Sequence, residues 1–331
     1  MAMRFPKNAL VALTVAACLP YLALKLLWLS GGTPGIPRDS PLHTAGSTLW
    51  VLNALTVLMD TVVVLLALAL ARPWGRRLPA PLLALPLWGA SGLLGPIALG
   101  FPVQALYHAL SGAAPQRGSG NGSGALLEDW VWSLVYSGFT VQGLALGTLF
   151  ALYVRERWGP LLGSRPARPV PLGPAWRAAG AAGCAGALGI GAVRAVEALG
   201  LWSADPADHG ADSRIVDGCF ALFALLAVAG TVRLLRGAGR TRLWVPLAAV
   251  WSGSGTLACW GGWLLLGAFS GSGQVLGQRT DGLLNLLHGT QAAAGLLLAA
   301  VAAHAVRHRS ATPAAAPSGA PPAAERQTRS R

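Results

Sequence analysis

The sequence predicts an all-α, polytopic transmembrane helical bundle with eight spans arranged as two parallel four-helix repeats. Of the 331 residues 53% are hydrophobic and only 11% are charged, whereas soluble domains carry about 25% charged residues. Stretches without any charge, such as Leu78 to Gln116 and Leu243 to Gln278, exceed the roughly 20 residues that cross a bilayer core. The apolar runs are continuous rather than alternating, which is typical of membrane helices.

The spans follow in order from the apolar runs between charges and breakers. They are approximately Asn8–Leu29, Leu49–Ala71, Ala80–Gly100, Trp130–Val154, Trp176–Leu201, Ile215–Leu235, Leu243–Phe269 and Gly282–Val306. Many of the 13 tryptophans fall near the ends of these spans, as an interfacial aromatic belt requires. The first span has an alternative, because Arg4 and Lys7 before an apolar stretch that reaches Cys18 also fit a lipoprotein signal peptide. That alternative leaves seven spans.

The distribution of basic residues predicts the orientation. With a cytoplasmic amino terminus, 19 basic residues fall inside and four fall outside, namely Arg38, Arg117, Arg214 and Arg279. This asymmetry predicts that both termini are cytoplasmic. Arginine far outnumbers lysine, and Ala, Gly and Pro are abundant, which indicates a high-GC bacterium and hence a bacterial plasma membrane. The net charge of +13 does not indicate a nucleic-acid partner, since the positives sit in short loops between apolar spans.

The two halves of the chain resemble each other. Span four from Gly143 to Arg157 aligns without a gap with span eight from Gly295 to Arg309. The Trp-x-x-Ser-Gly segment of span three, at Trp88, Ser91 and Gly92, recurs in span seven at Trp251, Ser254 and Gly255. Lys25 in span one corresponds to Arg194 in span five. An even number of spans per repeat predicts a pseudo-twofold axis along the membrane normal.

These alignments predict four segments. Residues 1–164 form a first four-span repeat, 165–174 a cytoplasmic linker, 175–306 a second four-span repeat and 307–331 a cytoplasmic tail. The tail is rich in Ala, Pro, Ser and Arg, so it lacks the apolar surface needed to fold and is predicted to be disordered. Residues 113–124, which are rich in Gly and Ser and include the Asn121-Gly-Ser sequon, are predicted to be a flexible external connector.

The opening segment from Tyr21 through Lys25 and Trp28 to Gly32 resembles a signature of uncharacterised multi-pass integral membrane proteins of high-GC bacteria, some of them built from four-span units. The resemblance covers about a dozen residues. The second half departs from it, since Glu197 stands where Trp28 would be. It implies a four-span building unit but no activity and no site residues.

Charged residues inside spans are the leading candidates for a site that contacts a substrate or ion, because burying one in a bilayer costs roughly 2.5 to 3.5 kcal/mol on insertion scales. Asp60 lies near the middle of span two and is the strongest candidate. It either couples to a proton or cation or contacts a polar substrate, or it is structural, as half of a buried pair or in a neutral interhelical hydrogen bond. Lys25 and Arg194 lie near the outer ends of their spans, where they are long enough to snorkel to the interface. Arg194 and Glu197 are three residues apart, which allows an intrahelical ion pair.

An alternative is a single outward-facing pocket lined by Lys25, Asp60, Arg194, Glu197 and Asp217. His288 completes the candidate set, and it shares a polar face of span eight with Asn285 and Gln291, which is predicted to point into the bundle. A second histidine, His108, makes a haem pair conceivable but disfavoured. The acidic loop at Asp205, Asp208, His209 and Asp212 and the four cysteines are expected to be structural, and no metal or other cofactor is expected.

The sequence leaves three functional classes open. The first is a small-molecule or ion transport or permeation protein with Asp60 as the coupling group. The second is a non-catalytic membrane scaffold or accessory subunit in which the charges are satisfied pairs. The third, a membrane enzyme, is the least favoured because no catalytic motif or nucleotide cradle is recognisable. The expected partners are the lipid bilayer, an ion or small solute, and further subunits of a homo- or hetero-oligomer.

Overall fold

The computed structural model describes residues 4–114, 126–165, 169–204, 210–237, 241–270 and 281–311. Within these ranges eight long helices follow one another and no strand occurs. They are α1 Arg4–Leu29, α2 Gly46–Ala71, α3 Ala80–Ser111, α4 Asp129–Gly163, α5 Pro174–Ala198, α6 Ala211–Arg236, α7 Trp244–Phe269 and α8 Gly282–Ala311. Short 3-10 helices at Pro41–Thr44 and Pro73–Arg77 flank α2. The predicted all-α polytopic bundle is confirmed.

Seven of these described helices are long and apolar enough to cross a membrane, so the chain is a multi-pass integral membrane protein. Helix α7 is not among these seven, although it has no charged residue; it contains four tryptophans and several glycines and serines. It packs against α3, α6 and α8, and most of its middle turns are buried in the protein. Because its neighbours cover it, this helix needs fewer lipid-compatible side chains. Its span, like the orientation of the chain, stays a prediction.

Each half packs as a four-helix group with similar neighbours. In the first half α1 contacts α2 and α4, and α3 contacts α4. In the second half α5 contacts α6 and α8, and α7 contacts α8. The halves differ in one pair, because α6 and α7 pack extensively whereas α2 and α3 touch at few residues. The described packing supports the predicted internal repeat, which itself stays a prediction.

Glycines explain why the second half is the tighter one. Side chains at Gly230 and Gly253 would collide with the backbone across the α6–α7 contact. Side chains at Gly261 and Gly295 would do the same between α7 and α8. Small residues at such crossings let helix backbones approach closely in a membrane. Three glycines of α5, Gly180, Gly183 and Gly186, likewise lie against α8.

The seam between the halves is a crossing of α3 and α7 that repeats the same contact in both directions. The Trp88 indole donates a hydrogen bond to the Ser254 hydroxyl over 3.2 Å, and the Trp251 indole donates one to the Ser91 hydroxyl over 2.8 Å. Between these two bonds Gly92 meets Gly255, and a side chain on Gly92 would overlap the Gly255 carbonyl group. Reciprocal contacts of this kind are typical of a twofold interface.

A second contact between the two halves joins α3 to α6 at the predicted outer end of the helices. The His108 imidazole lies 2.7 Å from the Asp212 carboxylate, and the Gln104 amide donates to the Asp212 carbonyl over 3.0 Å. His108 is therefore engaged with Asp212 in this structure. The two contacts together leave α3 joined to both α6 and α7.

On the predicted cytoplasmic side two helices extend several residues past their predicted ends, and one of them is α4, which reaches Gly163 rather than Val154. Helix α8 continues to Ala311, so the predicted tail begins later than Arg307. Two contacts hold the last turns, because His304 stacks on Trp176 and Arg309 donates to the Leu234 carbonyl. The rest of the tail, most of the 113–124 connector, and Asp205, Asp208 and His209 of the acidic loop lie outside the described residues.

The α3–α7 seam makes a prediction about two glycines on one helix. We expect Gly92→Ala to lower the free energy of unfolding by about 1 to 3 kcal/mol, because overpacking a close contact costs that much. Gly89→Ala is the matched control, since no atom lies within 4 Å of the position its side chain would take. It should be neutral or slightly stabilising, because alanine favours helix over glycine. Denaturation of both variants in lipid bicelles measures this, and equal stabilities would contradict the seam.

Candidate functional site

A row of polar side chains follows one face of α2 into the middle of the helix. Asn53, Thr56 and Asp60 are spaced by three and four residues, which places them on the same helix face. Asn53 is 1% exposed and Asp60 is 5% exposed. The face therefore turns into the first half of the protein and not toward lipid.

Helix α1 matches this row with one of the same spacing, formed by Cys18, Tyr21 and Lys25. The Lys25 ammonium donates a hydrogen bond to Asn53 Oδ1 over 2.8 Å. It also lies 4.7 Å from the centre of the Tyr21 ring and 4.8 Å from that of Trp28. Lys25 is only 9% exposed. The expectation that it snorkels is therefore wrong, because an amide oxygen and two aromatic faces hold its charge inside the bundle.

Helix α4 supplies Gln142 to the deeper end of the row. Its amide nitrogen donates to Asp60 Oδ1 over 3.3 Å, which is a long hydrogen bond. Gln142 is 1% exposed. Three helices thus bring together Lys25, Asn53, Asp60 and Gln142, which we call the first-half cluster.

The first-half cluster contains buried polar atoms that no described residue satisfies. They are Asn53 Nδ2, Asp60 Oδ2 and Gln142 Oε1. Buried donors and acceptors in proteins are nearly always paired, and leaving one unpaired costs about 1 to 3 kcal/mol. Each of these three atoms can take one further hydrogen-bond partner, either a water molecule or a ligand.

Lys25 and Asp60 do not form an ion pair. Each lies within electrostatic range of the other, yet among the described salt bridges, which extend to 4.0 Å, there is none between them. The donors Lys25 and Asn53 Nδ2 lie toward the start of α2, and the acceptors Asp60 Oδ2 and Gln142 Oε1 lie about two turns deeper. The cluster is therefore polarised along the predicted membrane normal.

The second half contains a different arrangement, which we call the second-half cluster and which consists of Arg194, Glu197 and Asp217. The Arg194 guanidinium lies 3.1 Å from Glu197 Oε2 and 2.8 Å from Asp217 Oδ1. The predicted Arg194–Glu197 ion pair is confirmed. Glu197 Oε1 accepts a further hydrogen bond from the Ala204 amide over 2.9 Å. The charges of this cluster are satisfied by its own members, as buried ion pairs require.

The polar face of α8 lies close to the second-half cluster. Arg194 and Asp281 are the charged groups that act on His288. Gln291 is 1% exposed, and neither of its side-chain amide atoms has a partner among the described residues. The polar face of Asn285, His288 and Gln291 turns inward as predicted, with Gln291 at its most buried point.

The six predicted site residues are thus divided between two places. Lys25 and Asp60 belong to the first-half cluster, and Arg194, Glu197 and Asp217 to the second, with His288 beside the latter. The single outward-facing pocket is therefore wrong. The two clusters lie between α1, α2 and α4 in one half and between α5 and α6 in the other, and the halves meet instead at the close-packed α3–α7 seam.

Sequence reasoning missed Asn53 and Gln142. A signal for Asn53 was present, since Asn53, Thr56 and Asp60 have the spacing of one buried helix face. For Gln142 no such signal exists, because its role depends on how α4 packs against α2. Asp212, taken from sequence as part of an acidic loop, instead bonds His108.

One cavity is lined by residues outside both clusters, and the four cysteines are members of neither cluster. A cavity of about 220 Å³ between α3, α4 and α7 is lined by apolar and small residues, among them Leu94, Gly143 and Phe150, and does not include Asp60. All four cysteines are free and lie within helices. No group of three metal-ligating side chains occurs in the described part of the chain.

Comparisons with protein-family profiles, with curated proteins and with solved structures give no match for this chain.

The two clusters predict different responses to the loss of their cations. Arg194→Met leaves two buried carboxylates without a partner, and we expect a loss of about 3 to 5 kcal/mol in the free energy of unfolding. Lys25→Met leaves the neutral Asn53 oxygen unpaired and removes a positive charge that is near Asp60 but forms no ion pair with it, so the expected loss is about 1 to 3 kcal/mol.

Parallel denaturation of the two variants in bicelles measures this difference. Equal losses, or a larger loss for Lys25→Met, would show that Lys25 is neutralised as completely as Arg194.

Proposed function

We propose that the protein moves an ion or small polar solute across the membrane, that the first-half cluster is its binding site, and that Asp60 is the coupling group. The single observation that carries this proposal is the set of unpaired buried atoms around Asp60. A carboxylate oxygen, an amide oxygen and an amide nitrogen there lack partners among the described residues. In a membrane such atoms are expensive to retain and mark ion or substrate pathways.

The position of the cluster supports the same conclusion. Its polar atoms run along α2 from Asn53, near the predicted outer side, to Asp60 in the middle of the helix. This is about 10 Å along the helix axis for seven residues. The contacts between α2 and α3 are few. A movement of α2 away from α3 therefore breaks fewer packing contacts than a movement within the glycine-packed second half. We therefore place the moving part in the first half and the static part in the second.

A scaffold or accessory subunit is the second candidate. The observation that favours it is the closed α3–α7 seam, where Gly92 and Gly255 bring two backbones into contact and two indole hydrogen bonds cross between the halves. A transporter that rocks one half against the other has to break this contact. In the proposed transporter the seam stays closed and movement occurs within the first half.

The experiment that separates these candidates examines Asp60 in the full-length protein. We expect a hydrophobic carbodiimide to modify Asp60, as detected by mass spectrometry of the purified protein in vesicles, because such a reagent enters the bilayer and one oxygen of this buried carboxyl has no hydrogen-bond partner among the described residues. We also expect a carboxyl infrared band that titrates with pH and disappears in Asp60→Asn. Vesicles containing a pH-sensitive dye should show proton movement that Asp60→Asn abolishes.

Asp217→Asn is the matched control, since Asp217 is also an acid in a helix near the predicted outer side but is paired with Arg194. It should leave proton movement intact. An Asp60 that is neither labelled nor titrated, together with an Asp60→Asn variant of unchanged flux, would overturn the transport proposal and leave the scaffold in its place.

A further inference from the structure

The two halves hold a basic residue at corresponding places and with the same geometry. Lys25 of α1 and Arg194 of α5 align in the predicted repeat. Each donates to a side-chain oxygen on the second helix of its half over 2.8 Å, Lys25 to Asn53 and Arg194 to Asp217. The two donor–acceptor distances are equal, but the charge of the acceptor differs, because Asn53 is neutral and Asp217 is a carboxylate.

The same difference recurs one helical turn further along. Three residues after Arg194, Glu197 lies 3.1 Å from the guanidinium. Three residues after Lys25, the neutral ring of Trp28 occupies that place, 4.8 Å from the ammonium. At both places where the second half presents a carboxylate to its cation, the first half therefore presents a neutral group.

The first half has the hydrogen-bond donors for such a carboxylate. The Lys25 ammonium has three N–H groups, and the contact to Asn53 Oδ1 uses one of them. Asn53 Nδ2 is a second donor, buried and without a partner among the described residues. Two adjacent donors, one of them charged, suit an oxyanion with two acceptor oxygens. The rings of Tyr21 and Trp28 beside the ammonium suit an apolar body attached to it.

We propose that the first-half cluster binds a small carboxylate, whose charged group takes beside Lys25 and Asn53 the role that Glu197 and Asp217 have beside Arg194. The inference rests on the proposed function and names its substrate class. The bound ligand neutralises the one buried cation that the protein leaves without an ion pair among the residues described here. The free acceptors of Asp60 and Gln142 lie deeper, where they meet any donor that the ligand carries.

The test uses the full-length protein in detergent micelles and three probes of similar size. Propionate carries only a carboxylate, propylamine only an ammonium group, and β-alanine carries both. We expect saturation-transfer NMR to detect propionate or β-alanine on the protein and not propylamine, because Lys25 repels an isolated cation. Tighter binding of β-alanine than of propionate supports the inference and adds Asp60 as the partner of the ligand's ammonium group.

Three variants locate the binding. Lys25→Met should weaken it at least tenfold. Asn53→Asp places a carboxylate of the protein where the ligand's is proposed to lie, so it should weaken binding at least tenfold and raise the melting temperature of the unliganded protein. Asp217→Asn, the mirror-image change in the second half, should leave binding unchanged, because Glu197 still pairs with Arg194.

The outcomes distinguish a failure of the carboxylate inference from a failure of the transport proposal. Binding of propylamine alone, binding of none of the probes, or an Asn53→Asp variant that binds propionate like the parent protein would overturn the carboxylate inference. If Asp60-dependent proton movement persists in those cases, the transport proposal stands without this substrate. Asn53→Asp keeps the test decisive where Lys25→Met does not fold, because its added charge faces an existing ammonium and is expected to stabilise the protein.

Discussion

The cost of holding a charge inside a bilayer is the constraint on which the rest of this structure depends. A buried ion needs either an opposite charge at contact distance or a set of dipoles that replaces water. The second half meets this requirement with Glu197 and Asp217 on Arg194. The first half meets it only in part, with one amide and two aromatic rings on Lys25. The two halves have similar helix neighbours, but they differ in how completely their buried charges are neutralised.

The two halves also differ in how closely their helices pack. The second half is built on glycines that bring α6, α7 and α8 into backbone contact, among them Gly230, Gly253 and Gly295. Close packing of this kind leaves little room for rearrangement. In the first half α2 has few contacts with α3, and it is α2 that carries Asn53 and Asp60. Few contacts with α3 and two unpaired buried polar atoms therefore occur in the same helix, as the proposed function requires.

The sequence was sufficient for the features that depend on composition and local pattern. Charge-free runs predict the helices to within a few residues at most ends, and the three-residue spacing of Arg194 and Glu197 predicts their ion pair. It was insufficient where tertiary packing decides. The expected snorkelling of Lys25 treats the helix as isolated, whereas Asn53 and two aromatic rings hold the ammonium in the bundle. The extension of α8 past Arg307 depends on contacts with Trp176 and Leu234, which no local pattern contains. The shared Trp-x-x-Ser-Gly segments suggested a repeat but not that they contact each other.

The composition of α7 has a consequence for how the protein is made. Its middle turns contain glycine, serine and threonine and are buried against other helices rather than exposed to lipid, and glycine and serine partition into hydrocarbon poorly compared with leucine. A nascent helix of this kind gains little by entering the bilayer alone. Its surroundings in the finished protein, α3, α6 and α8, include one helix that the ribosome makes only afterwards. We therefore expect α7 to be retained at the insertion machinery until α8 emerges, so that the pair enters the membrane as a hairpin against α3 and α6. On this view the Gly92–Gly255 seam forms last, when both halves are already in the membrane.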